Sequence, residues 1–210
     1  MSIKKKKILI AIPTHDMLPA AFMQSLCRLT EYMLQKKYSV TTRLWEGTLV
    51  AKARQSLVRI AIDQGFDYVF FVDSDMILHP ETLERLLNDD CDIVSTMFFK
   101  RTPPYQPCFY MDVDISQEPL TYSVPISWPD RGLHECAATG LAATLIRTEV
   151  FKKVGKNMFI HPTEGLGEDI AFCLNARAMG FTVYVDTRLE AGHIGRVIVN
   201  EKMYKEELQK

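Results

Sequence analysis

Residues 68 to 75 read Tyr-Val-Phe-Phe-Val-Asp-Ser-Asp, a run too apolar to face water that ends in two carboxylates one residue apart. If extended backbone persists through Asp75, the side chains of Asp73 and Asp75 share a face and point into the crevice at the strand's carboxyl end, where open α/β sheets bind ligands. Two carboxylates about 5 Å apart repel by roughly 3 kcal/mol at an effective dielectric of about 20, and a divalent cation between them reverses that sign. No Arg or Lys lies within nine residues on either side, so the local sequence offers no other countercharge. Hard oxygen ligands without a cysteine suit Mg2+ or Mn2+ in a partly open shell that phosphate oxygens and water complete. The competing explanation is structural, with Asp73 and Asp75 opening a turn and capping the helix after Pro80. Their place at the end of a buried strand favours the metal.

For such a crevice to exist the strand must lie inside an α/β sheet, and the flanking pattern supplies one. Lys7 to Ile12 is an apolar run closed by Pro13, after which Leu18, Phe22, Leu26, Leu29 and Met33 recur at helical spacing. Ser39 to Leu44 predicts a second strand, Leu49, Ala53, Leu57 and Ile60 a second helix, and Tyr68 to Val72 the buried strand itself. A helix opening at Pro80 with Leu83, Leu86 and Leu87, then a strand at Asp92 to Thr96, extends the β-α alternation. Beyond residue 97, Pro103, Pro104, Pro107, Pro119, Pro125 and Pro129 break the chain into short extended pieces. The alternation resumes with a strand at Leu141 to Arg147, a short helix at Thr148 to Val154, a longer helix from Gly167 to Met179 stopped by Gly180, a strand at Thr182 to Val185, and a helical Asn200 to Gln209. The expectation is one domain over 1–210, with a binding half at 1–96 and a second functional half at 97–210.

The bulk numbers narrow the function classes. With 210 residues, 47% of them apolar, and a formal charge of -1, the chain can bury a sizeable core and carries no basic field of the kind nucleic acid requires. Lys4 to Lys7 form the one strong charge run, read as a solvated lead-in to the first strand, and Ile8 to Ile12 is far too short for a membrane span or signal core. Cys27, Cys91, Cys108, Cys136 and Cys173 are odd in number, scattered and without C-x-x-C spacing, which predicts free thiols in a reducing, cytoplasmic setting.

With these segments in hand, the chain resembles the GT-A glycosyltransferases, in particular their family-2-like group. Ile8 to Thr14 is similar to the opening strand and the turn that meets the nucleotide base, and Ala53-Arg54-Gln55 resembles the segment near the donor diphosphate. Phe71 to Met76 looks like the metal-binding segment, Thr139-Gly140 like the acceptor side, and Gly167-Glu168-Asp169 like the segment carrying the catalytic acid. The resemblance implies a Rossmann-like fold with a mixed central sheet and helices on both sides. It implies Asp169 as the general base toward an acceptor hydroxyl with Glu168 orienting it, and Mn2+ or Mg2+ on Asp73, Asp75 and His193. Pro13, Thr14, Glu46, Arg54, Asp73 and Ser74 would then contact a UDP- or GDP-linked sugar, with Lys100 and Arg101 near donor or acceptor. Transfer to a hydroxyl of a glycan, polymer or small molecule would invert the anomeric carbon. Each role has a structural counterpart: acids in a helix's first turn favour its dipole whether or not they catalyse, and a histidine between glycines also suits a surface turn.

The chain departs from the family where Leu44-Trp45-Glu46-Gly47-Thr48 stands in place of an Asp-Asp-Gly-Ser-like run, which leaves the base identity open and assigns Glu46 by position alone. Two rivals follow. Val-Phe-Phe-Val-Asp-Ser-Asp-Met also resembles the nucleophile strand of haloacid-dehalogenase-like phosphatases, although that motif normally lies on an early strand and needs a later lysine and acidic pair. The missing run also allows a relative that binds a nucleotide sugar without turnover.

Overall fold

Strands whose successive residues face opposite sides need apolar partners on both, and the helices of this chain supply them in two layers. The computed structural model describes residues 6–47, 49–116, 120–125, 127–128, 130–195 and 198–209, with 198 and 199 as backbone; Lys4, Lys5, Thr48, Pro119 and Pro129 lie outside the described residues. In chain order the elements are β1 (Lys7–Thr14), α1 (Ala20–Gln35), β2 (Ser39–Glu46), α2 (Val50–Asp63), β3 (Tyr68–Val72), β4 (Met76–Ile77), α3 (Thr82–Asn88), β5 (Ile93–Met97), β6 (Phe109–Tyr110) and β7 (Asp112–Asp114). They continue with β8 (Thr121–Ser123), β9 (Leu133–Cys136), β10 (Ala138–Thr139), β11 (Ala143–Arg147), α4 (Thr148–Val154), α5 (Glu168–Ala178), β12 (Val183–Glu190), β13 (Gly192–Ile194), β14 (Ile198–Val199) and α6 (Glu201–Glu207).

The main sheet has the order β2-β1-β3-β11-β5-β12-β9. β1 runs parallel to β2 and β3, and β12 parallel to β5, whereas β11 is antiparallel to both its neighbours and β9 closes the edge antiparallel to β12. On one face Leu9 and Ala11 of β1 and Val69 and Phe71 of β3 pack with Leu57, Val58 and Ala61 of α2 and with Phe151, Phe172 and Ala176 of the later helices. On the other, Ile8, Ile10 and Ile12 of β1 and Tyr68, Phe70 and Val72 of β3 meet Phe22, Leu26, Leu29 and Met33 of α1 and Leu83, Leu86 and Leu87 of α3. The period-2 alternation thus assigns each strand residue to a layer, and strands buried on both faces read as unbroken apolar runs. This is a mixed α/β sheet with helices on both sides, as the resemblance implied.

Three differences bear on the site. The helix expected from Pro80 begins at Thr82, because the Thr82 amide bonds the His79 carbonyl at 3.0 Å and makes Pro80 part of a turn. β12 runs on past Val185 to Glu190, with Asp186 and Thr187 buried in the ladder and a register irregularity between Asp186 and Glu190. Beyond that irregularity β13 pairs with β4, setting His193 opposite Met76, and the Ile194 amide donates to the Asp75 carbonyl at 2.7 Å.

Candidate functional site

The two aspartates leave β3 through a turn rather than by continuing the strand. The Asp73 amide still bonds the Ala142 carbonyl at 2.9 Å, but the Met76 amide folds back onto the Asp73 carbonyl at 3.2 Å. The expected extended geometry through Asp75 is therefore not met, and the two side chains part company. Asp73 Oδ1 takes a charged hydrogen bond from Arg54 Nη2 at 2.8 Å, and Asp75 Oδ2 one from Arg101 Nη1 at 2.7 Å. Countercharge thus arrives from residues 19 and 26 positions away, which no local window could reveal.

His193 comes to the same oxygen. Its Nδ1 lies 2.7 Å from the Phe99 carbonyl and its Nε2 3.3 Å from Asp75 Oδ2, with Phe98 packed edge-on at 6.3 Å between ring centroids. A carbonyl fixing one ring nitrogen while the other faces a carboxylate is the arrangement that orients a metal-ligating imidazole. Burial works against ionised Asp75, but the His193 hydrogen bond and the Arg101 charge outweigh it and hold the carboxyl below its ordinary value. Burial likewise disfavours charged His193, yet Asp75 and the Phe99 carbonyl raise its pKa. Among the described residues no three His, Cys, Asp or Glu side chains converge into a ready-made cation cage, so the expected set of Asp73, Asp75 and His193 is gathered only as the pair Asp75–His193. The donor set still fits Mn2+ or Mg2+ in an open shell, because oxygen ligands with one imidazole suit these ions and phosphate oxygens complete them.

Behind this pair lies Arg54, the only charged residue of α2 that faces inward. Its side chain is 3% exposed; one terminal nitrogen holds Asp73, the other binds Glu168 Oε1, and the guanidinium lies 5.7 Å from the Phe71 ring centroid. Desolvation alone would lower its pKa, but Asp73, Glu168 and Asp169 together raise it, so it stays charged. Arg54 thereby joins the end of β3 to the first turn of α5. Asp169, next along that turn, accepts the Ile170 amide on Oδ1 at 2.8 Å, and burial followed by the neighbouring Glu168 pushes its carboxyl up to about 6. Two glycines make room for it. A Cβ at Gly167 would stand 2.8 Å from Asp169 Oδ1, and one at Gly140 would stand 3.5 Å from Oδ2 and 2.8 Å from Phe98 Cζ.

Beside these residues opens a cleft lined by Pro13, Thr14, His15, Gly47, Val50, Ala53, Asp73, Ser74 and Asp75. The Thr14 hydroxyl is buried there without a hydrogen-bond partner among the described residues. Of the residues expected to contact a nucleotide sugar, Pro13, Thr14, Asp73 and Ser74 line this cleft. Arg54 stands behind it, and Glu46 is exposed at the end of β2, in register with Thr14. Trp45 is 39% exposed on the edge strand. Ala53 belongs to the segment expected near the donor diphosphate and Gly47 to the run that replaces Asp-Asp-Gly-Ser, while His15 and Val50 join them in the cleft; the turn from β2 into α2, at the carboxyl edge of the sheet, is the one signal that would have found Val50.

No family model matches the chain. A glycosyltransferase 25 family member from Anopheles gambiae is 26% identical over 157 residues, covering 69% of this chain, which spans about a quarter (26%) of that relative's length. Among solved structures, A197 from STIV superposes with a TM-score of 0.60 at 18% identity, over 90% of this chain and 86% of its own. Apo UDP-glucose pyrophosphorylase superposes with a TM-score of 0.53 at 9% identity, over 98% of this chain and 97% of its own. The chain thus has a GT-A-type fold, shared with these two structures, and part of its sequence is similar to a glycosyltransferase 25 family member.

Proposed function

We propose that this chain moves a sugar from a UDP- or GDP-linked donor to an acceptor hydroxyl, with a divalent metal at Asp75 and His193 and with inversion at the anomeric carbon. The observation that carries the proposal is the buried Arg54 bridge, which ties Asp73 at the candidate metal edge to Glu168 beside the candidate base Asp169. A leaving diphosphate and an attacking hydroxyl need such groups on either side of one anomeric carbon. The likeness to a glycosyltransferase supports the reaction type, and the five free cysteines fit a reducing cytoplasm. No helix among the described residues is long and apolar enough to cross a membrane.

Asp75 and His193, with Asp73 beside them, would hold Mn2+ or Mg2+, whose charge supports the departing diphosphate. The remaining steps belong to the chain. Pro13, Thr14 and Ser74 seat the nucleotide, the buried Thr14 hydroxyl offering it an unused hydrogen bond. Asp169 Oδ1 is engaged by the Ile170 amide, so Oδ2, on the Gly140 side, takes the acceptor's proton. Its raised pKa makes it a stronger base than an ordinary carboxylate while leaving it ionised at neutral pH. Glu168, held by Arg54, orients the acceptor. The phosphatase alternative gains nothing, since the Asp73 carboxylate is tied to Arg54 rather than free to attack phosphorus.

A thermal-shift screen with UDP and GDP tests the binding half of the proposal. A nucleotide at about one hundred times its dissociation constant should stabilise the fold by roughly 2.7 kcal/mol, and only when Mn2+ or Mg2+ is present. Asp75→Ala should remove the metal-dependent part. Full retention of that shift in the variant would refute the metal assignment, and donor binding without sugar release or transfer would leave a binding protein rather than an enzyme.

A further inference from the structure

We infer that Arg101 is a second donor-positioning residue that changes partner during binding: it pairs with Asp75 until a divalent cation takes that carboxylate, then transfers its guanidinium to the donor's diphosphate. The inference deepens the reading above and rests on it.

The geometry brings two side-chain nitrogens to one oxygen. Arg101 Nη1 lies 2.7 Å and His193 Nε2 3.3 Å from the same Asp75 Oδ2. An oxygen so engaged cannot serve a guanidinium and a metal ion at full strength together, so the two cations compete. The backbone under Arg101 is anchored independently of that contact. The Lys100 amide bonds the Gln106 carbonyl at 2.8 Å, the Tyr105 amide bonds the Thr102 carbonyl at 2.9 Å, Phe99 bridges to Pro107, and the Phe99 carbonyl is the group that fixes His193. Only the arginine side chain, 56% exposed, reaches across to Asp75. It can therefore swing on its own rotamers without disturbing the loop or the histidine.

Charge balance gives the swing a direction. Asp73, Asp75, Glu168 and Asp169 face Arg54 and Arg101, so the site carries a surplus of negative charge even with both arginines in place. A divalent ion on Asp75 removes the attraction that holds Arg101 there. The diphosphate that arrives with the ion presents several anionic oxygens in the fork geometry a guanidinium pairs with best. Arg54 cannot answer that demand, because it is buried and its terminal nitrogens are held by Asp73 and Glu168.

The test is Arg101→Gln, read by two affinities that need no turnover. Mn2+ binding, followed by the electron paramagnetic resonance of the free ion without nucleotide, should tighten by a factor of about three to five, the worth of an exposed ion pair. UDP binding at saturating Mn2+, followed by calorimetry, should weaken by roughly tenfold, the worth of a charge-assisted phosphate contact. Opposite signs are the signature of a partner exchange, since a merely structural role would weaken both or neither. Unchanged or weaker Mn2+ binding in the variant, or unchanged UDP binding, overturns the inference while leaving the metal site standing. If neither protein binds Mn2+, with UDP or with GDP, the proposed function falls and the exchange falls with it.

Discussion

At the scale of single residues, Asp169 states the relation between chemistry and stability most directly. Its carboxyl is held up to about 6 chiefly by burial, with Glu168 adding to it and Arg54 opposing. A general base must be ionised, so transfer at fixed saturating donor should fall as pH drops through about 6, and Asp169→Asn should abolish transfer while sparing UDP binding. The same shift acts on folding with a definite sign. The folded state keeps this proton to higher pH than an unfolded chain does, so ionising Asp169 withdraws stability as pH rises from its ordinary value near 4 through about 6. Asp169→Asn should therefore raise the melting temperature at pH 8 and leave it nearly unchanged at pH 4. Loss of stability at pH 8 would mean that the carboxylate is better compensated than its surroundings indicate. What the sequence disclosed at this scale were the acids themselves, each marked by a strand end or a helix start. It could not disclose the ion pairs, because Arg54 meets Glu168 across 114 residues and Arg101 meets Asp75 across 26, whereas the meeting of His193 with Asp75 across 118 was expected through the family resemblance alone.

At the scale of elements, the approach of Gly140, just before β11, to Phe98, just after β5, governs both sides of the crevice. Phe98 stands edge-on to the His193 ring, and a Cβ on Gly140 would stand 2.8 Å from its ring. Gly140→Ala should cost about 1–3 kcal/mol by overpacking, read as a lower urea midpoint at unchanged slope, and should loosen Mn2+ binding through the displaced histidine. An unchanged midpoint would show that Phe98 has room to yield. Elements with long single-pattern runs were legible beforehand: β1, β3 and β5 from unbroken apolar stretches, α1 and α2 from their helical spacing, and α4 at its observed bounds. The far end of β12 was not, because Asp186 and Thr187 are polar residues buried in the ladder. Nor were β4 and β13, two- and three-residue strands that exist only because distant segments meet.

At the scale of the whole molecule, a second carboxyl couples the fold to pH away from the cleft. Asp89 follows α3, and its side chain is 7% exposed, with Oδ2 lacking a hydrogen-bond partner among the described residues. Burial first, then the nearby Asp186, pushes it up to about 6 against the pull of Arg188, which bonds Oδ1 at 2.6 Å. Stability should accordingly decline as pH rises from about 4 to about 6, and Asp89→Asn, which keeps an oxygen for Arg188, should lift the urea midpoint at pH 8 but not at pH 4. Equal shifts at both pH values would place the effect outside this ionisation. The order of the main sheet carries a consequence of its own. β11 comes from the later half of the sequence, yet it lies between β3 and β5 of the earlier half, running against both. A fragment stopped after Met97 would lack β11 beside β3 and both β11 and β12 beside β5, leaving three raw ladders of amides and carbonyls where the fold has seams. Expressed alone, such a piece should aggregate rather than bind nucleotide, and the two ends of the chain should have to be made together before either can hold anything.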